Sequence, residues 1–315
     1  MTRGGMLALI DVATERGLEI GALAAPIITR DLGPVEYVDR TSTEDLRKWY
    51  APNTEVDTSK IVEVDHVWGE QTLAECVGGR KYDYVVASHV IEHVPDLLGW
   101  LVEIAAVLAD GGIASFAVPD KRATFDILRR TSSDAEMVDA YVLGLRRPGA
   151  RQIFDHFMGF RDLGAEPIVS GRLTPADMPS QHDAKDLMEF CRRTAANGDY
   201  IYTHCWVFTP DSFLDAMDLA NRLQILPFEI GAFFPTEDGS HEFFVSLRRL
   251  PDSWTPQQRR EAFLASRPAN APIDEVEDLA KRVAGLRQEV EALRTSTSWR
   301  MTAPLRTAIT WIRAR

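Results

Sequence analysis

The stretch Tyr82-Asp83-Tyr84-Val85-Val86-Ala87-Ser88-His89-Val90-Ile91-Glu92-His93-Val94-Pro95-Asp96 decides the fold. Its first seven residues are rich in β-branched and aromatic side chains and predict a strand. Asp96 then opens an apolar-periodic helix through Leu97, Leu98, Leu101, Ile104, Ala105 and Leu108. Asp110-Gly111-Gly112 predicts a glycine-capped helix end, and Ile113 to Val118 predicts the next strand. A strand, a helix and a strand at this spacing mean a parallel α/β unit.

The same rhythm runs upstream. Leu18-Glu19-Ile20 reads as a short buried strand that turns at Gly21. Val35 to Asp39 and Ile61 to Asp65 predict two more strands, and Thr43 to Tyr50 a helix with Thr43 as its cap. Downstream, from about Pro119 to Tyr202, the rhythm breaks. Helical pieces at 124–130, 133–145 and 184–196 alternate with Pro- and Gly-bearing loops, which predicts an insertion or cap over the sheet, bounded at 119–205. A helix from Pro210 to Arg222 follows. Two closing strands, Leu223 to Ile230 and Glu242 to Leu247, are joined by the turn Glu237-Asp238-Gly239-Ser240. One enlarged α/β domain over 1–250 is therefore expected, with a Rossmann-like, mostly parallel seven-stranded sheet.

Pro251 to Pro272 is polar and carries several prolines, so 251–272 reads as a linker with a short helix at 257–265. Val276, Leu279, Val283, Leu286, Val290 and Leu293 then form an a/d seam, which predicts a coiled coil over 273–295. A single amphipathic helix packed on its own body is the alternative. Residues 296–315 hold Arg300, Arg306, Arg313 and Arg315 and no acid, with Trp299, Leu305, Ile309, Trp311 and Ile312 between them. That basic amphipathic segment suits an anionic membrane surface or a partner.

Composition sets outer limits. The 315 residues carry 35 Lys+Arg against 47 Asp+Glu, a formal charge of −12, which speaks against a general nucleic-acid binder. Cys76, Cys191 and Cys205 form no CxxC pair, so neither a zinc ribbon nor a disulfide scaffold is expected, and a reducing compartment is. There is no apolar run of spanning length, and the N-terminus opens no long apolar segment. The expected location is cytoplasmic, with the tail able to touch the inner face of a membrane.

In an open α/β sheet, ligands bind beyond the carboxyl ends of the strands. The residues there are Glu19, Gly21, Asp39, Asp65, Ser88 and His89. Gly21 lets backbone approach a ligand, and Asp39 is placed for ribose hydroxyls. Asp65, after the third strand, is placed to face an adenine edge. Each strand-end Asp would equally serve as a cap or turn residue.

These segments resemble class I S-adenosylmethionine-dependent methyltransferases. Leu18 to Gly21 looks like their first motif, Tyr82 to Asp96 like their fourth-strand segment, and Val107 to Gly112 like the approach to strand five. The resemblance implies S-adenosyl-L-methionine as cofactor, with Glu19 and Gly21 at its methionine part, Asp39 on the ribose, Asp65 on the adenine side and His89 beneath the sulfonium. The family's first motif usually continues as G-x-G, whereas this chain reads Gly21-Ala22-Leu23-Ala24-Ala25-Pro26. A variant loop of this kind, with Asp120-Lys121-Arg122 after strand five, resembles a bacterial subgroup. The ending Ser296-Thr297-Ser298-Trp299-Arg300-Met301-Thr302-Ala303-Pro304-Leu305-Arg306 is similar to one on bacterial glycosyltransferases and companion methyltransferases of surface-polysaccharide assembly. That likeness implies O-methylation of a sugar or glycan-related acceptor, with homo-oligomers or envelope-biosynthesis partners met through the coiled coil.

Candidate groups for the acceptor are His93, Asp120, Lys121, Arg122, Asp155, His156 and His204. Among them His93, His156 and His204 are the expected catalytic residues, because an imidazole near neutral pKa can take a hydroxyl proton during methyl transfer. Each histidine would equally serve as a hydrogen-bonded core residue. The expected site contains no metal. Two other functions compete: a non-catalytic adaptor that keeps the sheet but loses the cofactor through the altered loop, and a metal-dependent hydrolase built on the three histidines. His89-Val90-Ile91-Glu92-His93 also matches the inverted zinc-protease pattern, but it sits at a strand-to-helix corner instead of on a helix.

Overall fold

The computed structural model describes residues 4–161 and 180–268. The chain divides into two units, Met1–Ala269 and Asn270–Arg315. The heptad seam and the basic tail lie outside the described residues.

The first unit is built from β1 (Gly17–Ile20), β2 (Val35–Asp39), α1 (Thr43–Tyr50), β3 (His66–Val67), α2 (Leu73–Cys76), β4 (Tyr82–Ser88), α3 (Leu97–Val107), β5 (Leu108–Pro119), α4 (Asp134–Leu143), α5 (Ala150–Gly159), α6 (Ala184–Asn197), α7 (Pro210–Arg222), β6 (Phe228–Phe234), β7 (Glu242–Arg249) and α8 (Pro256–Ser266). The strands form one seven-stranded sheet in the order β3-β2-β1-β4-β5-β7-β6. All pairs are parallel except those of β7 with β5 and β6. The strand order reverses between β1 and β4, and that switch point is where the carboxyl ends leave a crevice.

Local chemistry explains most element ends. The Asp96 carboxylate accepts from the Gly99 N–H at 2.9 Å and caps α3. Thr209 caps α7, with Pro210 at its first position, where a missing N–H loses nothing. β1 is buried along its whole length, as a central parallel strand must be. On one face of the sheet Tyr37, Tyr84 and Val86 pack with Met6, Ile28 and Phe244. At the amino end of the sheet, Glu36 ties β2 to β4. It accepts from Tyr82 Oη at 2.8 Å and from Arg80 at 3.0 Å, and it pairs with His66 Nε2 at 2.6 Å.

Several boundaries differ from the sequence reading. Ile61 to Asp65 is not a strand; parallel pairing begins at His66, opposite Val38. α1 is capped by Ser42 in place of Thr43. α3 ends at Val107 and leads straight into β5, so Gly111 makes its positive-φ turn inside the strand segment and not at a helix cap. β6 starts at Phe228, five residues later than Leu223, after the positive-φ residue Gln224. Part of the segment expected as linker is packed: α8 buries Phe263, and its Ser266 hydroxyl accepts from Ile230 N on β6 at 2.9 Å. None of the described helices is long and apolar enough to cross a membrane.

Candidate active site

A cavity of about 870 Å³ opens at the carboxyl ends of β1, β2 and β4. Its wall begins with the loop after β1. Glu19 is buried, and its carboxylate accepts from the Ile27 N–H at 2.7 Å and the Ile28 N–H at 3.0 Å. Those two bonds fold the loop back on itself, so Glu19 shapes the cradle as well as lining it. Gly21 has φ +70°, and a Cβ there would meet Val90 Cγ2 at 2.8 Å. The chain passes so close to the start of the β4 corner that only glycine fits. Leu23 also holds a positive φ, which is unusual for a side-chain-bearing residue.

Asp39 lines the same cavity at the end of β2. One oxygen accepts from the Arg40 N–H at 2.7 Å. Burial pushes its carboxyl above the usual range, against weaker opposing pulls from Arg40 and Thr41. Arg40 lies between two rings, its guanidinium 4.8 Å from the Trp49 centroid and 5.0 Å from that of Tyr200. Tyr50, Trp68, Tyr200 and Tyr202 add aromatic surface to the wall. Asp65 does not line the cavity. It accepts from Arg30 Nη2 at 2.8 Å and from the Tyr37 N–H at 2.7 Å. The cause is the shifted third strand: pairing starts one residue after Asp65, which leaves it bound back to β2.

A second cavity of about 370 Å³ adjoins the first and shares His89, His93 and Tyr202 with it. Its residues come from distant segments. Cys205 N and Trp206 N both donate to the Glu92 carbonyl, at 2.6 and 3.1 Å, and Trp206 Nε1 donates to the Val94 carbonyl at 2.6 Å. This zips the segment before α7 onto the corner after β4, and it brings His204 against His93 with ring centroids 4.6 Å apart.

His204 is buried, and its Nδ1 pairs with Asp126 Oδ2 at 2.6 Å. Asp126 also accepts from Arg129 Nη1 at 2.8 Å. Burial opposes its charge, but His204 and Arg129 bring its pKa down to about 2. An ionised Asp126 makes Nδ1 the protonated nitrogen of His204 and leaves Nε2 as the basic one. Burial lowers His93 to about 4, so its ring is neutral. It donates from Nδ1 to the Thr203 carbonyl at 3.1 Å and accepts at Nε2 from Tyr202 Oη at 2.9 Å. His156 lies behind this pair, neutral because burial lowers it to about 3, and its Nδ1 accepts from the His204 N–H at 3.4 Å. It lines neither cavity.

His89 sits at φ +53°, the strained point of the corner. Burial works against its charge, but Glu242 at 2.7 Å and Glu92 at 3.5 Å raise its pKa to about 10. Its positive charge is therefore spent on two carboxylates. Residues 90–93 form a turn and not a helix, so His89-Val90-Ile91-Glu92-His93 does not present a helical pair of histidines. Of the expected residues, the structure brings Glu19, Gly21, Asp39, His89 and His93 to the large cavity and His204 to the adjoining one. Sequence reasoning missed Asp126, Glu242, Arg40 and Tyr202. Asp126 stood in plain view six residues after Asp120, but its partner is 78 positions away.

The geometry and the comparisons agree on class. The profile of a family of methyltransferase domains matches residues 9–221. This is well over half of the chain, and the chain belongs to that family. With the seven-stranded sheet in this order, it is an enzyme of the S-adenosylmethionine-dependent methyltransferase class. No curated protein matches. Among solved structures, the chain is similar to a Mesorhizobium loti S-adenosylmethionine-dependent methyltransferase at 13% identity, covering 76% of this chain and 94% of the other with a TM-score of 0.37. A Thermotoga maritima S-adenosylmethionine-dependent methyltransferase shares 13% identity over 79% of this chain and 87% of its own, with a TM-score of 0.36. A Rhodobacter sphaeroides protein described as a zinc-dependent alcohol dehydrogenase shares 14% over 79% and 89%, with a TM-score of 0.42.

Proposed function

We propose that this methyltransferase transfers a methyl group to a hydroxyl of a sugar or glycan-related acceptor in bacterial surface-polysaccharide biosynthesis. The large cavity takes the cofactor. Gly21 gives its backbone room, Asp39 offers a carboxylate oxygen to ribose hydroxyls, and Glu19 holds the loop through the amides of Ile27 and Ile28. His89 is a positioning residue here: its locked charge fixes the corner that carries His93.

The adjoining cavity takes the acceptor. The observation that carries the reading is the Asp126–His204 pair at 2.6 Å beside the cavity that joins the cofactor's. When bound, the cofactor supplies the methyl group: the acceptor oxygen forms the new C–O bond, and the electron pair of the broken C–S bond stays on sulfur. His204 Nε2 takes the hydroxyl proton, and Asp126 stabilises the imidazolium that results. His93 and Tyr202 flank the oxygen, and His156 holds the His204 backbone. The sugar class rests on the similarity of the 296–315 ending to those of polysaccharide-assembly enzymes. The same tail supports contact with a membrane face or an assembly partner.

The test is calorimetric titration with S-adenosylmethionine, followed by mass-spectrometric assay against nucleotide sugars and short glycans. Heat at micromolar ligand and a methylated sugar are expected. No heat at millimolar ligand would sink the methyltransferase reading in favour of an adaptor, and transfer only to nitrogen acceptors would overturn the hydroxyl.

A further inference from the structure

The side cavity holds a set of atoms that proton transfer alone does not explain. Glu92, His93 and His204 each bring one ligand-type atom to within 4.8 Å of the others, and all three line the cavity. Their surroundings are those of metal ligands. A histidine that binds a metal through one nitrogen usually gives its other N–H to a carboxylate or a backbone carbonyl, which fixes the tautomer and the ring plane. Both arrangements are present. His204 Nδ1 is on the Asp126 carboxylate at 2.6 Å, and His93 Nδ1 is on the Thr203 carbonyl at 3.1 Å. Nε2 is left as the ligating nitrogen in each ring.

Glu92 supplies the independent sign. It is 1% exposed, and its Oε2 has no hydrogen-bond partner among the described residues. The other oxygen, Oε1, already faces His89 Nδ1 at 3.5 Å, but a buried oxygen without a partner is still unfavourable, and a metal cation on Oε2 would remove that penalty. The Tyr202 hydroxyl now on His93 Nε2 belongs to a side chain that is half exposed, so it can swing clear.

We propose that Glu92, His93 and His204 hold one divalent first-row transition ion, with zinc the best match to two imidazoles and one carboxylate. An open coordination position is left for the acceptor oxygen. The proposal rests on the reading of this cavity as the acceptor's chamber and changes one clause of it. With the ion in place, the acceptor hydroxyl binds the metal, its pKa falls, and its proton leaves to solvent water. His204 is then a ligand instead of the proton acceptor.

The test uses the full chain, dialysed against a chelator and titrated with Co²⁺, with Zn²⁺ as competitor. One Co²⁺ per chain and a visible d–d absorption are expected, with displacement by Zn²⁺. Glu92→Gln and His204→Ala should each remove the band. Asp126→Asn, which does not touch the ion, should weaken binding by about 10–100-fold. Cofactor affinity measured on the same samples reports folding and separates the two readings. No band in the wild type, or a band that survives both ligand variants, overturns the metal site, and retained cofactor binding then leaves the methyltransferase reading standing. A stoichiometric metal complex in protein that gives no heat with cofactor keeps the metal site and overturns the other reading. Should His204→Ala misfold, the near-isosteric Glu92→Gln and the wild-type competition decide.

Discussion

The two adjoining cavities are made in different ways. The large one is built at the ends of β1, β2 and β4, so its key groups, Gly21, Asp39 and His89, are placed by sheet geometry. The small one is assembled from the corner 89–93, the segment around Asp126 and the strap 202–204, held together by long-range hydrogen bonds. The first is a consequence of the fold. The second is an addition to it, and its chemistry depends on pairings that the sheet does not dictate. One cavity should therefore be separable from the other by mutation.

The sharpest break falls in the small cavity. With His204 as the proton acceptor, His204→Ala and Asp126→Asn should each lower the turnover rate by about 10²–10⁴-fold, the usual worth of a positioned acid or base. Cofactor affinity should stay within error by calorimetry. A matching loss of cofactor affinity would show that the two chambers are one unit.

Gly21→Ala should do the reverse. The left-handed backbone disfavours a Cβ by about 1–2 kcal/mol before the clash with Val90 is added. Cofactor affinity should fall by about tenfold or more, with a lower melting temperature. Unchanged affinity would remove the loop from the cofactor's cradle.

Asp39→Asn sets function against stability. The fold raises the Asp39 pKa through burial, so the charged form is disfavoured in the folded state. Its destabilising effect is present at neutral pH and is relieved as pH falls through the raised value. The variant should melt at a slightly higher temperature without ligand, yet lose about tenfold in cofactor affinity, in line with a hydrogen bond to a charged group. In the wild type, Asp39's share of cofactor affinity should fade on acidification earlier than an ordinary Asp would allow. A variant that loses both stability and affinity would contradict the assignment.

The smallest effect is expected far from both chambers. Burial works against the Glu36 charge, but His66, Tyr82 and Arg80 hold its pKa below the usual carboxylate range. A depressed carboxylate stabilises the fold above its unfolded pKa, and that stability is lost as pH falls through the folded value. Glu36→Gln should lower stability by about 1 kcal/mol at pH 7, by denaturant titration. The difference from wild type should close under acidic conditions, and both cavities should keep their constants.

Legibility followed the same divide. Val85-Val86-Ala87-Ser88 and the Asp96 cap announced β4 and α3, because buried parallel strands and capped helices leave local composition signatures. Asp39 was legible because a strand end fixes its place. Asp65 was misplaced because the apolar run Ile61-Val62 looks like a strand but pairs only from His66 onward. Asp155 and His156 are sequence neighbours among the candidate acceptor groups, but they part in the fold: His156 turns its ring to the His204 backbone and Asp155 goes to Arg129 at 2.7 Å.

By itself, the sequence determined the mostly parallel α/β sheet and several of the residues that stand at its strand ends, Glu19, Gly21, Asp39 and His89. Those follow from periodicity, capping and the fixed direction of parallel strands, all of which are local. Only the tertiary structure decided which acid serves which histidine. Asp126 meets His204, Glu242 meets His89, and Glu92 is left with a bare buried oxygen. Hydrogen bonds of a few ångströms between residues far apart in the chain carry no sequence period. The Asp126–His204 pair, for one, depends on the 202–206 backbone being held to the corner at 92–94 by Cys205 and Trp206.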